Sequence, residues 1–195
     1  HVDDFPFNSL FHRFCDIGTF SDVNGVCTVT QVGHFTSSTN MLAEIPCEPG
    51  YFQPSPGQGF CLESDPGNYV VLSGSAEQIP CSPGTFSNQT GASDISTCIP
   101  VQPGHYSVEG SPEPMPCQPG TYQPEPGQGS CLEADPGHFV SDTSSVSQST
   151  CPIGTFQNES GKWSCENAYL GHYSDSLGSS VQTPCPENMT TIGQG

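Results

Sequence analysis

The chain has 195 residues and a net charge of −18, from twenty acidic side chains against two basic ones, Arg13 and Lys162. Leu, Ile, Val and Phe make up only 37 of the 195 residues, and chains this poor in apolar surface and this charged do not bury enough to offset their conformational entropy. The same balance excludes a nucleic-acid partner, which needs clustered cations, and disfavours an anionic membrane surface; no apolar run approaches the roughly 18 residues of a membrane span.

Eleven cysteines, spread from Cys15 to Cys185, replace the missing core and indicate an oxidising compartment. A disulfide closing a loop of about 15 residues contributes roughly 3 kcal/mol, so five bridges reach the order of a domain's whole net stability. The opening stretch HVDDFPFNSL lacks the basic and apolar regions of a signal peptide. The expectation is that the sequence starts after a signal or is a segment of a longer exported chain.

Residues 1–14 form a tail in which Phe5, Phe7, Leu10, Phe11 and Phe14 concentrate apolar surface. Such a tail either caps the first repeat or docks on a neighbouring copy and drives head-to-tail assembly. From Cys15 onward the chain is periodic. Cysteines 15, 47, 81, 117, 151 and 185 recur every 32 to 36 residues, dividing the chain into repeats 15–46, 47–80, 81–116, 117–150 and 151–184 and a partial sixth, 185–195. Five of the six open Cys-x-x-Gly-x-aromatic, and cysteines 27, 61, 98, 131 and 165 are each followed six residues later by another Gly-x-aromatic. The signature glycines therefore fall at 18, 33, 50, 67, 84, 104, 120, 137, 154 and 171, a half-period of about 17 residues. One fifteen-residue stretch is nearly duplicated, CEPGYFQPSPGQGFC at 47–61 and CQPGTYQPEPGQGSC at 117–131. Its Pro-Gly pairs suit the second and third positions of type II turns, and the aromatic after each signature glycine suits the start of a short strand. The fold class expected is small, disulfide-rich and mostly β or irregular: an elongated tandem array of short hairpin modules without a large core.

Two local cysteine pairings are open. Pairing within each repeat gives Cys15–Cys27, Cys47–Cys61, Cys81–Cys98, Cys117–Cys131 and Cys151–Cys165, with loops of 12 to 17 residues that contain the Pro-Gly turns. The shifted set begins with Cys27–Cys47, closes loops of 19 or 20 residues and leaves Cys15 over. The first is preferred. By the same register Cys185 pairs with a residue beyond 195, at about position 197, rather than remaining a reactive thiol.

The pattern C-x-P-G-T-[YF], with a loop-closing cysteine and a further P-G-x-[YF] six residues on, resembles the ephrin-receptor-like cysteine-rich repeat, which is related in style to tumour necrosis factor receptor modules. The likeness runs over residues 15–195. It implies a thin, elongated extracellular rod, and in those receptor modules the equivalent first-loop cysteines pair with each other. One departure is consistent. Where the family places a second cysteine three residues after the closing one, this chain has Thr30, Ser64, Val101, Ala134 and Ala168. Loss of C-x-x-C removes a zinc or redox reading and leaves one bridge per repeat.

Other candidate sites are weaker. His34, His105, His138 and His172 each follow a signature glycine, a full repeat or more apart in most cases, and read as outward-facing neighbours of a buried aromatic rather than as a metal or pH-sensing array. LESDPGNY and LEADPGHF offer two carboxylates apiece, too few for a convincing calcium site, so no metal or other cofactor is expected. Asn88, Asn158 and Asn188 head Asn-x-Ser/Thr sequons and are candidate N-glycosylation sites. No catalytic constellation is present and no enzyme is expected. The reading is a secreted or cell-surface structural repeat protein, a glycosylated rod in a filament, stalk or adhesin that assembles head to tail with copies of itself. The alternative is a ligand-binding ectodomain segment of a receptor.

Overall fold

A computed structural model describes residues 14–187 and 189. The chain divides into two compact units that interleave in sequence. His1–Asp65, Tyr69–Ile79 and Thr90–Ile95 form the first, and Pro66–Asn68, Pro80–Gln89 and Ser96–Gly195 form the second. Ten two-stranded antiparallel hairpins make up the regular structure of the described residues, with one short 3-10 turn at Ile95–Thr97.

Thr19–Ser21 pairs with Cys27–Val29, His34–Phe35 with Ile45–Pro46, Tyr51–Phe52 with Leu62–Glu63, and Asn68–Tyr69 with Ile79–Pro80. Then Thr85–Phe86 pairs with Ile99–Pro100, His105–Tyr106 with Met115–Pro116, and Thr121–Tyr122 with Leu132–Glu133. His138–Phe139 with Ser149–Thr150, Thr155–Phe156 with Glu166–Asn167, and His172–Tyr173 with Thr183–Pro184 complete the set. A tight turn with its glycine at positive φ leads into each first strand, built on Pro-Gly in six cases and on Ile17, Val32, Ile153 or Leu170 before the glycine in the other four. In the 47–61 module the Tyr51 N–H donates to the Glu48 carbonyl at 2.9 Å across Pro49-Gly50, and Gly50 has φ +89°.

Strands of two residues are too short to hold themselves. Backbone bonds between successive half-repeats supply what they lack. In the first unit Gly33 N–H donates to the Gln53 carbonyl and Gly50 N–H to that of Val70, at 2.7 and 2.8 Å. In the second unit Gly104, Gly120 and Gly137 do the same to Gln123, Val140 and Gln157, at 2.7 to 2.8 Å. Every acceptor in this series lies three residues after the next signature glycine and is buried.

A second left-handed position recurs seven residues or so after each signature glycine. The described residues with positive φ are eighteen glycines, Asn40 and Ser144, and they fall into these two interleaved series. Members of the second series lie over the signature glycine two half-repeats earlier. A Cβ on Gly33 would sit 2.0 Å from the Gly74 carbonyl oxygen, and one on Gly120 would sit 2.2 Å from that of Gly161. The signature glycine is therefore required twice, by its turn and by the backbone that covers it.

The interior is a file of small residues. Cys15, Cys47, Cys81, Cys117 and Cys151 alternate along the chain with Thr30, Ser64, Val101, Ala134 and Ala168, all at most 1% exposed. The two sets are equivalent. Cys117 N–H donates to Gly104 and Ala134 N–H to Gly120, both at 2.9 Å; Cys117 accepts from Ser144 and Ala134 from Gly161, both at 2.8 Å. The positions where the C-x-x-C pattern is broken are thus the buried positions of the bridge-free hairpins. Buried glutamines add a polar lining: the Gln53, Gln123 and Gln157 carboxamides donate to the carbonyls of Phe60, Ser130 and Ser164 at 2.8 to 3.0 Å, each one residue before a closing cysteine.

Disulfides join Cys15 to Cys27, Cys47 to Cys61, Cys81 to Cys98, Cys117 to Cys131 and Cys151 to Cys165, closing alternate hairpins. In three of the bridge-free hairpins a glutamine stands where the closing cysteine would be. Gln148 accepts from the Asp135 N–H and donates to its carboxylate, both at 2.7 Å, and Gln78 makes the same pair of bonds to Asp65 at 2.8 Å. Gln182 accepts from the Tyr169 N–H at 2.8 Å, and Glu44 takes the equivalent place on Gln31 at 2.7 Å. A carboxamide or carboxylate clip thus substitutes for the disulfide.

One expectation is corrected. The aromatics two residues after the signature glycines are not uniformly buried: Tyr69 and Phe156 are, while the others are half-exposed. No second layer covers the hairpin face, so rings on that face keep one side in water.

The equivalence of the two hairpin types is testable. Ala134→Cys with Gln148→Cys places two thiols 14 residues apart, the separation of Cys117–Cys131. A sixth bridge is expected to form spontaneously and raise unfolding stability by about 1–3 kcal/mol, the loop-closure gain less the lost clip. Two thiols that stay open to alkylation in the folded protein would contradict the equivalence.

Candidate interaction surface

Most large apolar side chains lie at the surface of this fold, Tyr69 and Phe156 excepted, because its most deeply buried positions are filled mainly by small residues. Across each hairpin the ring after the signature glycine faces the residue two before the next buried position. Five hairpins place an apolar residue opposite the ring. The first unit has Phe35 with Ile45 and Phe52 with Leu62. The second has Phe86 with Ile99, Tyr106 with Met115 and Tyr122 with Leu132, and there the later rings face Ser149, Glu166 and Thr183 instead.

Furrows open between successive hairpins on this face. In the first unit one of about 320 Å³ is lined by Phe35, Ile45, Glu48, Tyr51, Phe60 and Cys61. In the second unit, furrows of the same volume lie against Phe86, Ile99 and His105, and against Tyr106, Gln118, Thr121 and Ser130. Each takes the ring of one hairpin and the first strand residue of the next. Nothing in the one-dimensional pattern announces them, because the lining residues come from segments about 25 apart in sequence.

The four histidines occupy the first strand position. Their Nδ1 atoms lie 3.1 to 3.5 Å from the carbonyls of Val32, Pro103, Pro136 and Leu170, two residues before each ring. Threonines at the same position in other hairpins bond neighbouring turn carbonyls: Thr85, Thr121 and Thr155 donate their hydroxyls to Ser82, Gln118 and Pro152 at 2.7 to 2.8 Å. Histidine and threonine therefore each engage a turn carbonyl, and His105 also holds its Nε2 3.4 Å from the Ser144 hydroxyl. Among the described residues no three His, Cys, Asp or Glu side chains gather so as to hold a metal ion. Asp65 and Asp135 are engaged in the glutamine clips.

Asn88 and Asn158 are exposed, each four residues after a signature glycine and directly after a buried residue. Asn188 lies outside the described residues, as do Phe5, Phe7, Leu10 and Phe11. Phe14 is 81% exposed. Cys185 is half-buried and unbridged among the described residues. No described helix is long and apolar enough to cross a membrane. Near the amino end the Asp22 carboxylate accepts from the Val26 and Asn24 N–H groups at 2.8 and 2.9 Å, and the Val26 bond, the largest influence, holds its pKa below the usual carboxylate range.

The family model described as tyrosine-protein kinase ephrin type A/B receptor-like matches residues 104–151. No curated protein matches the chain in a sequence comparison. Residues 104–151 are an ephrin-receptor-like cysteine-rich repeat. Together with the five bridges that repeat points to an extracellular location.

His138→Thr separates the local task of the histidines from a metal or proton-sensing role. Unfolding stability is expected to stay within about 0.5 kcal/mol of the parent in urea titrations, with or without added zinc. A loss of about 2 kcal/mol, or a zinc-dependent midpoint in the parent alone, would show that the histidine does more.

Proposed function

We propose that this chain is a structural repeat segment of an extracellular filament, stalk or adhesin. The observation that supports the reading is the backbone ladder: within each unit the signature glycine N–H groups are satisfied by the following half-repeat, so modules add by repetition and need no shared core. Disulfides on alternate hairpins resist local opening, which suits a component exposed to proteases. Net charge of −18 keeps a surface rich in exposed apolar side chains soluble. Assembly with further copies, head to tail, belongs to this proposal, since a heterologous contact that does not close generates an open filament. So does N-linked glycan at Asn88 and Asn158, whose exposed side chains stand in register four half-repeats apart.

The receptor-type repeat at 104–151 favours a second reading, a ligand-binding segment of a receptor ectodomain. Fold analogy is a weak warrant for function. Nothing in either reading calls for catalysis.

Electron microscopy of the native material distinguishes the two, with the chain expected in a regular fibre or stalk. A dispersed monomer that persists at high concentration counts against the filament. Intact mass before and after enzymatic deglycosylation is expected to fall by at least one glycan, and an unchanged mass removes the glycan from the proposal.

A further inference from the structure

The two copies of the duplicated module, 47–61 and 117–131, differ at five positions. Three of the five line the equivalent furrow: Glu48, Tyr51 and Phe60 in one copy stand where Gln118, Thr121 and Ser130 stand in the other. The parts that build the module are the same in both, from the turn glycines to the buried Gln53 and Gln123. Variation is therefore concentrated on the open side, where it does not serve folding.

What the first copy gains has a definite chemistry. Phe35, Tyr51 and Phe60 bring three aromatic rings to one furrow, with the Glu48 carboxylate beside them and Ile45 along the wall. Tyr51 donates its hydroxyl to Glu63 at 3.4 Å, which ties a second carboxylate to a ring that lines the furrow. Phe60 is 59% exposed while its carbonyl is held by Gln53, so the ring is presented to solvent from a pinned backbone. Aromatic faces attract cations, more often guanidinium than ammonium, and a carboxylate pairs with guanidinium through two parallel bonds. The apolar stem of a long cationic side chain lies naturally along an aliphatic wall. Twenty acidic residues against two basic ones make the surroundings complementary to a basic partner. Within the chain, Lys162 is already paired with Glu159 at 2.6 Å.

We propose that the furrow between the 34–46 and 51–63 hairpins binds an arginine side chain carried on an extended basic segment of a partner protein. An open furrow suits a side chain arriving from a polypeptide that lies along the surface, and the exposed Phe60 ring gives its apolar stem a face to lie on. This site does not depend on whether the chain polymerises.

The test titrates the full disulfide-bonded chain with a capped pentapeptide of alternating valine and arginine, followed by NMR at about 0.15 M salt, where diffuse attraction is screened. Saturable shifts are expected at Phe35, Tyr51 and Phe60, with the second copy's furrow at Thr121 and Ser130 silent. Replacing arginine by citrulline, its neutral isostere, is expected to weaken binding about tenfold. The triple variant Glu48→Gln, Tyr51→Thr, Phe60→Ser is expected to weaken it at least as much. That variant gives the first copy the lining of the second, so its fold is one the chain already adopts. Shifts spread over the acidic surface and unchanged in the triple variant would overturn the proposal, as would the absence of any shift at millimolar peptide.

Discussion

Everything in this protein depends on one close approach of backbone to backbone. Each signature glycine from Gly18 to Gly137 takes a left-handed turn and is covered by the carbonyl of a second left-handed residue about forty positions on, at a distance no Cβ would tolerate. Because the approach is so close, N–H groups reach carbonyls of the next half-repeat, and hairpins of only two residues per strand become ordered. The usual order of protein architecture is reversed. Backbone bonding and small buried residues make most of the interior, and the large aliphatic and aromatic side chains, Tyr69 and Phe156 apart, are left on the outside.

That inversion has chemical consequences. A file of Cys, Thr, Ser, Val and Ala buries little area, so hydrophobic transfer alone contributes too little to hold the chain. Disulfides constrain one half of the hairpins, and glutamine or glutamate clips take the equivalent place in most of the others. The clips are hydrogen bonds at exposed positions and contribute only about a kilocalorie each, whereas a bridge contributes several times that. Oxidation is thus the dominant control on whether the array is folded. With large side chains outside, the surface becomes a repeated face whose local chemistry varies without disturbing the scaffold, as the two copies of the 47–61 module illustrate.

Much of this was legible in the sequence. Gly-x-aromatic at a half-period of 17 gave the hairpin array, because turn and strand chemistry are local. Spacing alone left two cysteine pairings open, since both close loops of workable length; in the structure each bridge closes the single hairpin whose first strand lies between its two cysteines. The second left-handed series was not legible, since Asn40 and Ser144 break its glycine pattern and its partners lie some forty residues away. Thr30, Ser64, Val101, Ala134 and Ala168 looked like simple losses of a family cysteine, and only their backbone bonds show them to be the alternate members of the buried file. The clip glutamines look like solvent-exposed polar residues until their partners thirteen positions back are known. The furrow was invisible for the same reason, because its rings come from different half-repeats.

Native-state hydrogen exchange tests the central claim most directly. If close backbone contact at the glycines holds the array, the amides of Gly33, Gly50, Gly104, Gly120 and Gly137 will be among the slowest to exchange in the oxidised protein. On that account they lose protection together when the disulfides are reduced. Exchange at these glycines as fast as in an unfolded chain, while the exposed hairpin face stays protected, would contradict it.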